Sequence, residues 1–70
     1  MPHVNAPMAG TVFKILVSPG DALDFGQTIM IFESMKMEIP IESDGAGTVK
    51  SIRVKEGDTV DQGDALIDFS

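Results

Sequence analysis

A chain of 70 residues without cysteine is one small domain that has no disulfides to stabilise it. Its 11 acidic and 5 basic residues give a formal charge of -6, which excludes a nucleic-acid partner, because a phosphate backbone needs a cationic face. No apolar stretch approaches the roughly 20 residues of a membrane span, and no signal peptide opens the chain, so we expect a cytoplasmic protein.

The first half of the chain predicts short β-strands separated by glycine turns. Ile15 and Val17 lie two residues apart, so both point to the same side of a strand. The Gly-Asp pair at 20–21 is typical of a turn, because glycine adopts positive φ and aspartate bonds to nearby backbone. Gly26 marks a second turn, and the apolar run 29–32 predicts a closing strand.

The second half of the chain repeats the first at a spacing of 37 residues. Eleven of the 24 positions from 9 to 32 are identical to their counterparts without a gap. The identical residues of the first copy are Ala9, Gly10, Thr11, Val12, Ile15, Val17, Gly20, Asp21, Asp24, Gly26 and Phe32. The copies extend over 2–32 and 39–69. If they pack about an approximate two-fold axis, the two chain ends lie close together, opposite the link 33–38.

The link between the copies, ESMKME, leads into another predicted strand. Met37, Ile39 and Ile41 alternate with polar residues or proline, which indicates a strand with one buried face. No segment carries a sustained helical period. Short strands with turns at regular spacing predict an all-β fold, either a small sandwich or a flattened barrel. The link is then the tip of a hairpin, where side chains are presented to solvent.

Lys36 differs from the other four basic residues, which we interpret as ordinary solvated charges. It lies between the two copies, and Met35 and Met37 bracket it at the expected turn. Exposed apolar residues at a loop tip usually mark a contact surface, and methionine adapts its shape to a partner. Met37 could equally be buried, because its alternation with Ile39 places it on the buried face. The other basic residues are Lys14, Lys50, Arg53 and Lys55.

The linking segment resembles the attachment motif of biotinyl domains, which usually have Ala or Ser before Met-Lys-Met. The matching run is Glu33-Ser34-Met35-Lys36-Met37-Glu38. Residues 6–10 (APMAG) resemble the opening of the same domains in biotin-dependent carboxylases and decarboxylases, and the likeness covers essentially the whole chain. The family fold is a barrel-sandwich hybrid, a flattened barrel of two four-stranded sheets with quasi-two-fold symmetry. Because 18–20 align without a gap with 55–57, the chain resembles the thumbless members, including short biotin/lipoyl attachment proteins.

The resemblance implies a carrier with biotin covalently bound to Lys36 and no catalytic residue of its own. A biotin protein ligase would present activated biotin, and the Lys36 amine would attack its carbonyl to form an amide. A biotin carboxylase would then load carboxylate, and the flexible arm would carry it to a carboxyltransferase or decarboxylase. Glu33 and Glu38 flank the lysine symmetrically. They either contact the ligase or serve solubility, while Ser34 completes the motif.

Other functions fit less of the sequence. A lipoyl domain has the same fold and a modified hairpin lysine, but Asp usually precedes that lysine and a small residue often follows it. Met35 and Met37 depart from this pattern, although a dual biotin/lipoyl attachment protein remains possible. An unmodified interaction module would not need the motif. An independent enzyme is disfavoured because His3, the single histidine, sits at the terminus, and no acidic run matches a calcium loop. We expect no metal site.

Overall fold

The computed structural model describes residues 2–70, and this part of the chain consists of eight β-strands and no helix. Met1, the first residue of the predicted 1–70 domain, lies outside the described residues. In chain order the strands are β1 (His3–Asn5), β2 (Gly10–Ile15), β3 (Ala22–Leu23), β4 (Thr28–Ser34), β5 (Met37–Glu42), β6 (Gly47–Ile52), β7 (Thr59–Val60) and β8 (Ala65–Phe69). Nothing helical in 2–70 is therefore long and apolar enough to cross a membrane.

The strands form two four-stranded sheets. One sheet has the order β1-β8-β6-β3 and the other has the order β5-β4-β2-β7, and neighbouring strands are antiparallel throughout. The all-β architecture of two four-stranded sheets, expected from the sequence and its resemblance, is confirmed. Each sheet takes strands from both copies of the repeat, so neither copy forms a sheet alone.

The internal repeat is visible strand by strand. A shift of 37 residues carries β2 onto β6 and β3 onto β7 from end to end, and it carries β1 into β5 and β4 onto β8. The same shift turns one sheet order into the other. Bonds between the copies also correspond: the Gly20 N–H donates to the Val49 carbonyl at 2.8 Å, and the Gly57 N–H donates to the Val12 carbonyl at 2.7 Å. The copies therefore pack about an approximate two-fold axis.

The core fills the space between the two sheets with aliphatic and phenylalanine side chains from both copies. Its fourteen apolar residues all lie outside 33–38. Fully burying one such large side chain contributes about 1.5–3 kcal/mol, which a chain of this size needs from nearly every core position. The largest fully buried side chains are Phe32, Leu23, Ile29, Met30, Ile41, Leu66 and Ile67.

One predicted strand ends earlier than expected. Val17 is buried, but β2 stops at Ile15, so the two residues do not share a strand. The chain leaves the sheet here to enter the turn before Asp21, whose carboxylate accepts the Ser18 N–H at 2.8 Å. Val17 nevertheless faces the core, as Ile15 does, with exposed Leu16 between them, so the alternation of buried and exposed residues continues past the end of β2.

The two ends of the chain lie side by side, as the repeat predicts. Strand β1 pairs with β8 so that His3 is opposite Asp68, and the Phe69 N–H donates to the Pro2 carbonyl at 3.0 Å. The 37-residue shift relates this edge to the β4–β5 hairpin, which places the hairpin tip at the corresponding point of the other sheet.

Candidate functional site

The site predicted from the sequence is the two-residue turn between β4 and β5. Ser34 pairs with Met37, so Met35 and Lys36 alone form the loop. Their φ angles are 53° and 65°, and they are the only non-glycine residues in 2–70 with positive φ. Positive φ at both central residues is the signature of a type I′ turn, whose twist matches that of the flanking strands.

The turn is strained because neither central residue is glycine or asparagine. A left-handed conformation costs an ordinary residue roughly 1–2 kcal/mol. The strain persists because the register of β4 and β5 leaves only two residues to reverse the chain. The pairing runs from Thr28 opposite Glu42 to Ser34 opposite Met37. Strain of this kind is concentrated at functional sites, where it fixes the direction of a side chain.

The side chains at the tip are presented to solvent. Met35 is 93% exposed, Met37 is 63% exposed, and Lys36 is exposed as well. Met37 does share the row of Ile39 and Ile41, but it lies beyond the end of the core, so the exposed alternative is correct. No ion pair or side-chain hydrogen bond within 2–70 involves Lys36.

Two glutamates stand behind the tip. Glu33 and Glu38 are directly opposite each other across β4 and β5, and both are exposed. They point away from the core because the adjacent pair, Phe32 and Ile39, points into it. Like charges in this position are unfavourable for the sheet, so they add nothing to its stability. Ser34 is half-buried at the end of β4, and all six predicted site residues therefore meet at one hairpin end.

The arrangement suits a covalently attached group. The described residues enclose no ligand cavity, whereas an exposed primary amine without a partner is open to acylation. The side chains around it are apolar or acidic. The residues present thus fit a cofactor joined to Lys36 through an amide bond.

A buried carboxylate on the other sheet was missed by the sequence reasoning. Asp68 accepts hydrogen bonds from the Ser51 hydroxyl at 2.6 Å, from Arg53 Nε at 3.0 Å and from His3 Nδ1. The Ser51 hydrogen bond, together with Arg53 and His3, lowers the pKa of Asp68 to about 2 against the opposing effect of desolvation. Asp68 therefore joins β8 to β1 through His3 and to β6 through Ser51. Ile31 is the counterpart of Asp68, and this mismatch in the repeat was the available signal.

Comparison with known proteins agrees with this geometry. The family model described as "Biotin-requiring enzyme", a biotin/lipoyl family, matches residues 2–69. The chain is 56% identical over 36 residues to the methylmalonyl-CoA carboxyltransferase 1.3S subunit of Propionibacterium freudenreichii subsp. shermanii, covering 51% of this chain and 29% of that protein. It is 51% identical over 41 residues to the biotin/lipoyl attachment protein of Bacillus subtilis, covering 59% of this chain and 56% of that protein.

Solved structures show the same fold within much larger proteins. A single-chain, multi-domain long-chain acyl-CoA carboxylase matches with a TM-score of 0.84 and 27% identity, over 94% of this chain and 7% of that one. The urea carboxylase of Kluyveromyces lactis matches with a TM-score of 0.84 and 29% identity, over 94% of this chain and 6% of that one. Taken with the match over residues 2–69, this places the chain in the biotin/lipoyl family of biotin-requiring enzymes.

Proposed function

We propose that this chain is a biotin carboxyl carrier domain and that Lys36 bears the biotin. The observation that carries the proposal is the geometry of Lys36, which stands exposed and unpaired at a strained two-residue turn. The biotin requirement of the family supports the same cofactor. The lipoyl alternative is not favoured, because Met35 and Met37 flank the lysine on the exposed tip.

The chemistry asked of the chain is a single acylation. The Lys36 amine, after giving up a proton to the ligase, attacks the activated carbonyl of biotin; the new C–N bond replaces the bond to the leaving group. The product amide is neutral, so the chain gains one unit of negative charge. Bound biotin supplies a ureido ring that holds carboxylate during transfer. No side chain of this protein makes or breaks a bond after the attachment.

The fold contributes position and reach. The β4–β5 pairing holds Lys36 at the end of a stiff ribbon, so the arm starts from a fixed point. A tethered group meets its target as an intramolecular event, which raises its local concentration. Met35 and Met37 offer adaptable apolar contacts to each enzyme in turn. We propose that the attachment hairpin 33–38 serves a single domain whose repeat halves are 2–32 and 39–69.

The proposed partners are a biotin protein ligase, a biotin carboxylase and a carboxyltransferase. The 1.3S subunit is named for a carboxyltransferase, and the fold recurs within an acyl-CoA carboxylase and a urea carboxylase. This chain spans only part of each of these proteins, so the complete carboxylase to which it belongs is part of the proposal. Its cytoplasmic location stays a prediction.

The proposal is tested by Lys36→Arg. Arginine keeps the positive charge and similar length at an exposed tip, so the free energy of unfolding should change by less than about 0.5 kcal/mol. The guanidinium does not give up its proton at neutral pH, and it cannot act as the acylated amine. Incubation with biotin, ATP and a biotin protein ligase should add one biotin to the wild type and none to the variant, as read by intact mass.

Three matched substitutions serve as controls, because each changes another lysine in the same way. Lys14→Arg, Lys50→Arg and Lys55→Arg should all accept one biotin. A Lys36→Arg protein that still gains the mass would move the attachment site elsewhere. A wild type that never gains it would refute the carrier function itself.

A further inference from the structure

The outer faces of the two sheets have similar backbones, because the repeat relates them, but they carry different side chains. On the first sheet, Asp68 points outward because its neighbours Ile67 and Phe69 point into the core. The row across this face is Ser51–Asp68–His3, and Arg53 closes over it. This face is therefore covered by a polar network in which Asp68 is the shared partner of Ser51, His3 and Arg53.

The corresponding face of the hairpin-bearing sheet is apolar. Ile31 points outward between the core residues Met30 and Phe32, and its row is Lys14–Ile31–Pro40. Leu16 stands where the other half has Arg53, and it is 52% exposed. Each half also has one extra residue at an equivalent strand bulge. This residue is Lys50 in β6, but it is Phe13 in β2, and Phe13 is 41% exposed.

Folding does not require these four apolar residues, which we call the apolar face: Phe13, Leu16, Ile31 and Pro40. The same backbone positions in the other half hold Lys50, Arg53, Asp68 and His3, which shows that charged residues are accepted there. Phe13, Leu16 and Pro40 are exposed and Ile31 is half-buried. Neighbouring apolar side chains that remain accessible on a small protein usually mark a contact surface. Lys14 lies beside this face, and its Nζ is 5.5 Å from the centre of the Phe13 ring.

Part of the apolar face lies on the two strands that end at the attachment turn, with Ile31 on β4 and Pro40 on β5. Phe13 lies on the neighbouring β2, and Leu16, farther from the tip, donates its N–H to the Ile29 carbonyl at 2.9 Å. Ile31 and Ser34 are three residues apart on β4, which is about 10 Å along the strand. A protein that covers the apolar face therefore also reaches the tip. Lys50 and Lys55 belong to the other half, and Lys14 would be covered, so docking here presents Lys36 alone.

The charges around the apolar face indicate what docks on it. The next outward pair toward the tip is Glu33 and Glu38, and on the β2 side the Glu56 carboxylate accepts the Ile15 N–H at 3.0 Å. These three carboxylates outnumber Lys14, the basic residue beside the face. A second copy of this chain would bring like-charged borders together, which opposes self-association. A partner with an apolar centre and a basic border is complementary.

We propose that the apolar face is the docking surface for a biotin protein ligase whose contact region is apolar with a basic border. The inference rests on the proposed function and extends it to how the lysine is chosen. A quasi-two-fold domain presents a similar backbone surface twice, so a ligase that docks on the sheet bearing Lys36 needs a feature that distinguishes the two outer faces. The outer faces supply that feature, because one is a closed polar network and the other is apolar.

The test compares Leu16→Arg with a matched control, Phe25→Arg. Both replace an exposed apolar residue by the same charge, but Phe25, 77% exposed, lies in the turn before β4, away from the apolar face. With a recombinant biotin protein ligase, biotin and ATP, Leu16→Arg should raise the KM for the carrier about tenfold with kcat nearly unchanged, because a ground-state contact is lost. Phe25→Arg should keep the wild-type KM.

A second variant keeps the proposal testable if Leu16→Arg disturbs the fold. Phe13→Lys gives the bulge of β2 the residue type that the equivalent bulge of β6 has in Lys50, and this variant should show the same rise in KM. An unchanged KM in folded variants overturns the docking proposal while leaving Lys36 as the attachment site. Loss of carboxyl transfer with an unchanged ligase KM would assign the apolar face to a carboxylase instead. A wild-type dimer, detected by sedimentation and abolished by Leu16→Arg, would assign it to a second copy. Absence of any wild-type biotinylation would refute the proposed function itself.

Discussion

The carboxylate of Asp68 is buried in the outer face of its sheet, and its three partners make that burial tolerable. Burying a charge without partners is strongly unfavourable, whereas hydrogen bonds to the ionised form favour it. His3 lies in β1, Ser51 lies in β6 and Arg53 follows β6 directly, so ionised Asp68 joins β1, β6 and β8. The carboxylate therefore has a structural role at the edge where the chain ends meet.

The hydrogen bonds to ionised Asp68 predict that the stability of the protein falls in acid. The pKa of Asp68 is about 2 in the folded protein, below the value of about 3.9 of an unfolded aspartate. A lowered folded pKa stabilises the protein above about pH 4, and this contribution is lost as the pH falls from about 4 to about 2. The side chain of Asp68→Asn cannot ionise. Its midpoint of urea unfolding should therefore lie farthest below that of the wild type at pH 5, and the difference should shrink toward pH 2.

The exposed residue Asp44 supplies a control for that measurement, because its carboxylate accepts no side-chain hydrogen bond within 2–70. Asp44→Asn should follow the wild type at each pH. If the gap between wild type and Asp68→Asn stays constant from pH 5 to pH 2, ionised Asp68 does not stabilise the fold.

At the scale of the strands, the repeat provides a matched pair of glycines at the starts of β2 and β6. A Cβ on Gly47 would lie 2.2 Å from the Ser70 carbonyl oxygen, and the φ of Gly47 is 152°. That oxygen accepts the Thr48 N–H at 2.8 Å, so the end of the chain cannot yield without losing a hydrogen bond. Gly47→Ala should lower the free energy of unfolding by about 1–3 kcal/mol.

Gly10, the counterpart of Gly47, should tolerate alanine far better. Its Cβ would meet nothing closer than Phe32 Cδ2 at 3.3 Å, which a small shift of the ring relieves. Urea unfolding of Gly10→Ala and Gly47→Ala would compare the two positions directly. Equal losses would show that the approach of Ser70 is not what requires glycine at position 47.

The strands, and the position of the candidate site at a hairpin tip, could be predicted because both depend on local patterns that occur twice or stand out. The equal spacing of the two copies predicts each glycine turn, and the interruption at 33–38 distinguishes Lys36 without reference to any family. The ends of elements were harder. Alternation placed Met37 in the buried row but could not show that the core stops at Ile39, nor that β2 stops before Val17.

The polar network escaped prediction for a different reason. His3 and Asp68 are 65 positions apart, and their contact depends on which strands become neighbours. Sequence periodicity predicts the face on which a residue lies, but it carries no information about which residue lies beside it in another strand. The sequence therefore identifies His3 only as a lone histidine near the terminus, and Arg53 as a solvated charge.

The whole molecule combines a symmetric core with asymmetric surfaces. Both halves contribute the same strands and the same inter-copy hydrogen bonds, so stability is shared between them. The features proposed to act in biotin transfer are the ones without a counterpart: the attachment hairpin and the apolar face. Substitutions in the attachment hairpin or on the apolar face should therefore leave the shared core unchanged.

This separation predicts that the fold is independent of the cofactor. The fourteen core residues lie outside 33–38, so the apo chain buries the same apolar surface as the biotinylated one. Amide hydrogen exchange should therefore give equal protection in both forms at inter-copy bonds, such as the Val49 N–H donating to the Asp21 carbonyl at 2.9 Å. Differences should be confined to the β4–β5 tip.

Gly47→Ala provides the positive control, because general destabilisation should speed exchange in both sheets. Widespread loss of protection in the apo wild type would show that biotin contributes to folding, and the symmetric core would then be insufficient on its own.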